Sequence, residues 1–376
     1  MFKKSLAAIA VLGTAAGFAC AADVTLYGIV DQGLIFNKTK VENAAGQTTK
    51  TNNFGLESGV SSASRFGLKG TEDLGNGLKV GFKLENGFNA DDGSFGDDDG
   101  RLFNREASLT LSGDFGALSF GRMGGVGSSA GVDSVYATAD AFDGGDNDVL
   151  GLAKSSRYDN MVQYQTPVFA GVQGTFQYSF KNDSTVDGRE GSAAADRYMG
   201  AAVNGTFGPV QAVLGYEFFN YASNDGTKQN DVEDGQIVYL GGNYDCGFAK
   251  TFVMAQYFKD LNKKQLAALD FDTFKSFNDT FEGYGLHLGT QFAALGGDFT
   301  FGGYYVDANT VEEDASFERD VAYYGFGAKY EYALSKRTSL YTGAGYGKTK
   351  FDAAKLEKHD TVNEVTQAYV GLTHRF

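Results

Sequence analysis

The feature that most limits how this chain can fold is an alternation of apolar and polar residues that recurs along its length. In LKVGFKLENGF (78–88), one register holds the apolar residues Leu78, Val80, Phe82, Leu84 and Phe88. The other register holds Lys79, Lys83 and Glu85. The pattern recurs in VQGTFQYSF (172–180) and VQAVLGYEF (210–218). Because successive side chains of a strand point to opposite faces, each segment predicts a β-strand with one apolar and one polar face.

The connections between these segments alternate between short and long. Seven short turns are found, at 72–77, 112–116, 166–171, 207–209, 245–247, 294–297 and 333–337. Eight longer, polar connections are found, at 38–61, 89–101, 123–156, 181–195, 219–234, 259–280, 307–319 and 348–362. Fifteen connections separate sixteen strands, and this asymmetry is typical of bacterial outer-membrane barrels. We therefore predict an all-β fold, a 16-stranded antiparallel transmembrane β-barrel with short periplasmic turns and long extracellular loops, wide enough for an aqueous channel.

Composition agrees with this prediction. The chain has 52 glycines and 14 % aromatic residues but only 2 prolines, which favours strands and turns over disorder. The mean hydropathy of −0.26 does not exclude a membrane barrel, because lumen-facing residues lower the average. The formal net charge of −15 argues against nucleic acid as a partner.

The N-terminus, MFKKSLAAIAVLGTAAGFACAAD, has the order of a secretory signal: lysines, an apolar run and then small residues. We predict a signal peptide at 1–22, cleaved after Ala22 or alternatively after Ala21, and a single barrel domain at 23–376. A lipoprotein interpretation through Cys20 is less favoured, because Gly17 stands where such signals prefer a leucine-like residue. Beyond this segment, no stretch approaches the roughly 20 apolar residues that a spanning helix needs.

Several stretches resemble the general porins of Gram-negative outer membranes, in particular the β-proteobacterial (Neisseria and Burkholderia) type. They are DVTLYGIVDQGL, SRFGLKGTEDLGNGLKVGFKLE, FNREASLTLSGDFGALSFGR, RYDNMVQYQTP, YALSKRTSLY and the final GLTHRF, in the family's order. The resemblance implies a homotrimeric, passive channel for small hydrophilic solutes, whose third long loop folds inward to form a constriction. It also implies that Phe376 is a signal for the outer-membrane insertion machinery. The alternative is that Phe376 only ends the apolar face formed by every second residue of the last strand.

Basic residues on the polar strand faces are candidates for one side of the constriction, where a pore selects by size and charge. Alternation turns Arg65, Lys69, Lys83 and Arg157 toward the lumen. The resemblance assigns Arg65, Arg122 and Arg157 to the basic side. These residues favour anions, whereas the acidic net charge favours cations, so the sequence leaves the ion preference open.

Arg122 conflicts with simple alternation. Counting from Leu118 and Phe120 places it on the lipid face, where a charge at mid-depth costs about 2–4 kcal/mol. We therefore expect the strand to bulge or end at Gly121.

The acidic side is expected in the glycine-rich third long connection. Its candidates are Asp133, Asp140, Asp143, Asp146 and Asp148. Facing acids and bases would create a lateral field across the pore. Ala141 precedes Phe142 where the family usually has proline, which leaves the path of the loop and the choice among the aspartates open.

Two rival functions remain. One is a substrate-specific channel, and the other is a barrel enzyme with a Ser–His pair. His287 is expected to face the lumen and His374 to lie on the apolar face. The segment TGAGYGKT (342–349) lacks the first glycine of a phosphate loop, and DDGSFGDDDG (91–100) lacks the acid spacing of a calcium loop. We expect no enzymatic activity, no cofactor and no metal, and as partners the outer-membrane lipid and lipopolysaccharide.

Overall fold

The computed structural model describes residues 23–96, 100–131, 134–142, 150–180, 196–221, 233–262, 265–266, 280–311, 318–353 and 358–376. The segment 1–22, predicted to be a signal peptide, lies outside them. Within the described ranges, no helix is long and apolar enough to cross a membrane.

The described chain is built almost wholly of strands. They are β1 (Thr25–Glu42), β2 (Thr48–Ser58), β3 (Arg65–Gly75), β4 (Leu78–Gly87), β5 (Glu106–Gly113), β6 (Gly116–Gly124), β7 (Arg157–Gln165), β8 (Val172–Ser179), β9 (Arg197–Phe207), β10 (Val210–Asn220), β11 (Gly235–Asp245), β12 (Ala249–Leu261), β13 (Thr280–Ala294), β14 (Gly297–Val311), β15 (Asp320–Ala333), β16 (Thr338–Phe351) and β17 (Thr361–Arg375). A short helix, α1 (Val135–Ala139), lies between β6 and β7.

The sheet is antiparallel and closes on itself where β1 pairs with β17. On its other side, β1 is paired by two strands in succession: Thr25–Ile29 pairs with β3, and Gln32–Glu42 pairs with β2. Therefore β2 and β3 share one position in the wall, interrupted at 59–64, and the barrel has 16 wall strands. The predicted strand number and topology are confirmed.

The first long connection differs from the expected 38–61. The strand β1 continues to Glu42 and β2 begins at Thr48, so only 43–47 turn the chain. The Asn43 side chain accepts hydrogen bonds from the backbone N–H groups of Ala45 (3.1 Å) and Gln47 (2.9 Å). The sequence did not predict these strand ends because both of their faces are polar. They therefore lack the alternation of apolar and polar residues that marks a membrane-spanning strand.

The two faces of the wall have different environments. On β13, Leu286 and Leu288 are 46 % and 62 % exposed on the outer face, whereas His287 between them is 4 % exposed. The same alternation continues around the barrel and leaves large apolar side chains exposed on the outside. A continuous apolar surface of this kind is suited to contact with lipid.

The main apolar core lies inside the barrel, between the inner wall and the third long connection. Its buried residues from this connection include Val135, Tyr136, Ala139, Leu150 and Leu152. Inward-facing glycines make room for them: a Cβ at Gly215 would lie 2.8 Å from Val135, and one at Gly285 would lie 3.1 Å from Leu152. The described part of the connection therefore occupies the lumen.

The last residue takes part in the closure of the barrel. Phe376 and Gly28 of β1 exchange two backbone hydrogen bonds, of 3.0 and 3.1 Å. The Phe376 ring lies over Gly28, where an added Cβ would collide with it. Since Val370 and Leu372 are exposed on the same face, the predicted apolar face of the last strand is confirmed.

Candidate pore constriction

Arg122 faces the lumen because β6 is irregular directly before it. Gly121 has a φ of +129°, which side-chain-bearing residues rarely adopt, and the pairing with β7 shifts between Gly121 and Met123. The predicted bulge is confirmed. Arg122 Nη1 lies 2.6 Å from Asp159 Oδ1, and Arg122 Nε donates to the Asn104 carbonyl at 2.7 Å.

Arg122 shares a polar cavity of about 300 Å³ with Arg105 and Arg157. The cavity lies between the inner wall and the chain that connects β4 to β5, which contributes Asn89 and Asn104. Arg157 Nε is buried and has no hydrogen-bond partner among the described residues. A buried donor without a partner is costly. The site is therefore suited to an acceptor for this donor, either an anion or a water molecule.

Two carboxylates partly neutralise these arginines. Glu85 Oε1 lies 2.7 Å from Arg105 Nε, and Asp159 Oδ2 lies 3.2 Å from Arg101 Nη2 in addition to its contact with Arg122. Arg157 has neither carboxylate as a direct partner in the described contacts. The positive charges exceed the negative ones around the cavity.

The other predicted basic residues lie on the same wall. Arg65 Nε donates to the Ala63 carbonyl at 3.0 Å, and the Arg65 charge is close enough to repel the guanidinium of Arg157. Lys83 Nζ lies 2.6 Å from Glu106 Oε2, so its charge is locally compensated.

Lys69 lies apart from these ion pairs. Its Nζ is 5.3 Å from the centre of the Tyr27 ring. This separation suits a cation–π contact.

Sequence reasoning missed Arg105 and Arg101. Both precede β5 in an irregular segment, where alternation does not tell which way a side chain points. The available signal was the motif FNREASL, in which Arg105 stands directly before Glu106 at the start of a strand that contributes to the pore wall.

Asp140 is the one predicted acidic residue within the described ranges, and it is only 3 % exposed. Its Oδ1 accepts hydrogen bonds from Tyr304 Oη (2.6 Å) and from the Phe142 N–H (2.8 Å). The structure thus places Asp140 in a network that holds the third connection on the wall. Asp133, Asp143, Asp146 and Asp148 lie outside the described residues.

His287 holds the same stretch. Its Nε2 accepts from the Ala141 N–H at 3.1 Å, and its Nδ1 lies 3.1 Å from the Gly303 carbonyl oxygen. Gln291 Nε2 donates to the Ala141 carbonyl at 2.8 Å. The predicted inward direction of His287 is confirmed, and both ring nitrogens have backbone partners.

A second anchor, which sequence reasoning missed, is Glu217 on β10. It is fully buried and accepts hydrogen bonds from Tyr198 Oη (2.5 Å), Tyr239 Oη (2.8 Å) and the Gly127 N–H (2.9 Å). The two anchors hold the beginning and the middle of the third connection against β9–β14.

The remaining histidine with a predicted direction, His374, lies on the outer face and is exposed. Its Nδ1 is 2.9 Å from Thr338 Oγ1. In the part of the chain that the structure describes, no three His, Cys, Asp or Glu side chains come together as metal ligands.

A family model described as Gram-negative porin matches residues 6–352. An outer membrane porin of Bordetella pertussis is 35 % identical over 408 residues, with 100 % of both chains covered. Outer membrane porin protein 32 of Delftia acidovorans is 33 % identical over 274 residues, covering 68 % of this chain and 70 % of that protein. The major outer membrane protein P.IB of Neisseria gonorrhoeae is 28 % identical, with both chains fully covered.

Among solved structures, an anion-selective porin from Comamonas acidovorans has a TM-score of 0.64 and 27 % sequence identity to this chain. The match covers 95 % of this chain and 100 % of that structure.

Proposed function

Because the chain belongs to the Gram-negative porin family, we propose that this outer-membrane channel for passive diffusion of solutes selects them at its arginine cavity and prefers anions. The observation that carries the proposal is the group formed by Arg105, Arg122 and Arg157 around one polar cavity on the lumen wall. The similar structure described as an anion-selective porin supports the same preference.

The electrostatics of the cavity support this preference over the acidic net charge. Charges on exposed loops are screened within about 8 Å at physiological salt. A solute passing the arginines meets them at closer range, where the interaction of two unit charges at 4 Å is about 1 kcal/mol even in bulk water. The local excess of arginine is therefore proposed to decide which ions pass.

The remaining site residues belong to the same proposal. Arg65, Lys69 and Lys83 would extend the basic wall away from the cavity. The third connection, held by Glu217 and His287, would narrow the lumen opposite the arginines. The acidic side of the constriction would be supplied by Asp133, Asp143, Asp146 and Asp148. Asp140 would hold the third connection, which carries them, on the wall.

Assembly and partners follow from the resemblance. We propose that residues 1–22 are removed on export, that the barrel forms a homotrimer, and that the insertion machinery recognises Phe376. The relatives are channels, and we propose that this chain likewise has no enzymatic activity. Lipid and lipopolysaccharide would surround the outer wall.

The test is the reversal potential of the refolded protein in a planar bilayer under a KCl gradient. The wild type is expected to show anion preference. The variant Arg122→Gln/Arg157→Gln is expected to lower the anion-to-cation permeability ratio at least about fivefold, since roughly 1 kcal/mol is lost per charge.

Lys336→Gln removes a positive charge from an exposed short turn and serves as the control, with no expected change. Cation preference in the wild type would contradict the proposal. Saturation of the current by one solute would indicate a substrate-specific channel instead.

A further inference from the structure

The segment 59–64, which interrupts the wall between β2 and β3, turns into the lumen. It contacts Asp31 of β1, which lies opposite Thr373 and therefore on the other face of the wall from the exposed Leu372. Asp31 is fully buried, and Val60 in the segment is only 3 % exposed. This segment, here called the inner shelf, is a second piece of chain inside the barrel, separate from the third connection.

The carboxylate of Asp31 holds the middle of the inner shelf. Asp31 Oδ1 accepts hydrogen bonds from the Ser61 N–H (3.2 Å) and from Tyr341 Oη (2.8 Å). Asp31 Oδ2 accepts a hydrogen bond from Thr373 Oγ1. Burial of a carboxylate is costly unless it is hydrogen-bonded. The inner shelf and two neighbouring wall strands supply the donors that this carboxylate requires.

The backbone of Asp31 and a small apolar cluster hold the rest of the inner shelf. The Asp31 carbonyl accepts from the Gly59 N–H at 2.9 Å, and the Asp31 N–H donates to Ser64 Oγ at 3.1 Å. A Cβ at Gly33 would lie 3.2 Å from Val60 Cγ2, so this glycine leaves room for the valine. Val60 packs in a buried cluster with three wall residues, Ile35, Tyr341 and Tyr369. The inner shelf is therefore packed against the wall and not only tied at its ends.

The inner shelf also has a contact with a more distant strand. Lys329 Nζ on β15 donates to Ser61 Oγ at 3.1 Å. Two strands, β16 and β17, lie between β15 and β1 in the wall. The inner shelf is thus held from two separate places on the wall, at β1 and at β15.

The inner shelf forms part of the boundary of the arginine cavity. The residues that it and the end of β2 contribute to the lining of this cavity are Ser58, Gly59, Ala63 and Ser64. Arg65 follows the inner shelf directly, and its Nε donates to the Ala63 carbonyl at 3.0 Å. The cavity is therefore bounded both by the guanidinium groups of Arg105, Arg122 and Arg157 and by small, uncharged side chains.

We propose that the inner shelf is a second constriction element of the pore and that Asp31 is the residue that positions it. Solutes pass between the small side chains of the inner shelf and the guanidinium groups. The position of the inner shelf sets how closely a solute approaches the arginines, and the interaction of two charges falls with distance. The proposal rests on the passage of solutes at the arginine cavity, but not on the sign of the preferred ion.

The first test is labelling of a thiol on the inner shelf. Without residues 1–22 the chain has one cysteine, Cys246, which is replaced by Cys246→Ser. In that background, Ala63→Cys places a thiol at an exposed position on the cavity. A methanethiosulfonate reagent added to open channels in a planar bilayer is expected to cause a stepwise loss of current. Ser335→Cys, in an exposed short turn, is the control and is expected to react without loss of current.

The two proposals fail in different ways in this experiment. Unchanged conductance after complete labelling of Ala63→Cys would overturn the constriction role of the inner shelf. The relative labelling rates of an anionic and a cationic reagent report the ion preference. A faster reaction of the cationic reagent would contradict the preference for anions and leave the inner shelf in place.

The second test measures how Asp31 positions the inner shelf. Val60→Cys places a thiol at a position that is 3 % exposed, so labelling is expected to be slow while the inner shelf is in place. Asp31→Ala removes the acceptor of three hydrogen bonds and is expected to raise the labelling rate at least about tenfold. Asp31→Asn keeps an oxygen that can accept from the Ser61 N–H and Tyr341 Oη, and is expected to restore most of the protection.

A matched control separates release of the inner shelf from loosening of the whole barrel. Val213 is 1 % exposed and belongs to the main core, so Val213→Cys is expected to stay protected in the Asp31→Ala variant. Equal gains in labelling at Val60→Cys and Val213→Cys would refute the positioning role of Asp31. Asp31→Ala is also expected to raise the single-channel conductance, because release of the inner shelf widens the cavity. Unchanged conductance in channels with a released inner shelf would overturn the proposal.

Discussion

At the scale of single residues, the direction of Arg122 depends on the backbone of Gly121. A Cβ at Gly121 would collide with the Ala107 carbonyl oxygen, and its φ of +129° is strained for any side chain. We expect Gly121→Ala to lower the free energy of unfolding by more than the roughly 1–3 kcal/mol that such strain costs, and to shift the reversal potential toward cations. Gly75→Ala is the control, because Gly75 also has a positive φ (+83°) but open space around its Cβ position. If urea unfolding showed the same loss of free energy of unfolding for the two variants, the collision with the Ala107 carbonyl oxygen would not be important.

At the scale of elements, the third connection stays in the lumen because polar groups of the wall satisfy its backbone. Glu217→Ala removes the acceptor of the Gly127 N–H and of two tyrosine hydroxyls. A hydrogen bond contributes about 0.5–1.5 kcal/mol net, and three are lost here. We therefore expect the state in which the third connection has left the wall to become at least about tenfold more populated. The measurements are open-channel current noise and cleavage by protease within 125–156, and both should increase. Ser119→Ala, which removes a lumen hydroxyl that bonds only Thr110 in the described contacts, should leave both unchanged. Quiet, protease-resistant channels from Glu217→Ala would refute the anchoring role.

At the scale of the whole molecule, the barrel is completed where Phe376 meets Gly28. Phe376→Ala keeps both backbone hydrogen bonds and loses only a ring that is 42 % exposed. We therefore expect a loss of at most about 1–2 kcal/mol in the unfolding of the refolded protein, but a several-fold lower amount in the outer membrane of cells. Leu372→Ala is the matched control, because Leu372 lies on the same strand face and is 44 % exposed. It should change the free energy of unfolding by a similar amount but leave the amount of protein in the outer membrane unchanged. A similar decrease in cells for both variants would favour the simpler interpretation, in which Phe376 is only part of the apolar face.

The sequence by itself determined the barrel, its strand number and the direction of most wall residues. Each spanning strand meets lipid on one face and water on the other, so its alternation is imposed locally and can be read from a few residues. The bulge at Gly121 could be predicted for the same reason, since a charge in lipid is costly enough to require an irregularity.

Only the tertiary structure decided the rest. Gly127 meets Glu217 across 90 residues, and Ala141 meets His287 across 146, so no local pattern connects these partners. Arg105 precedes its strand, where the backbone is irregular and has no period to indicate its direction. Closure of the barrel brings Lys40 and Lys348 to one carboxylate from opposite ends of the chain. The local environment of a strand determines which face each residue takes, whereas the pairing of distant strands determines which residues meet.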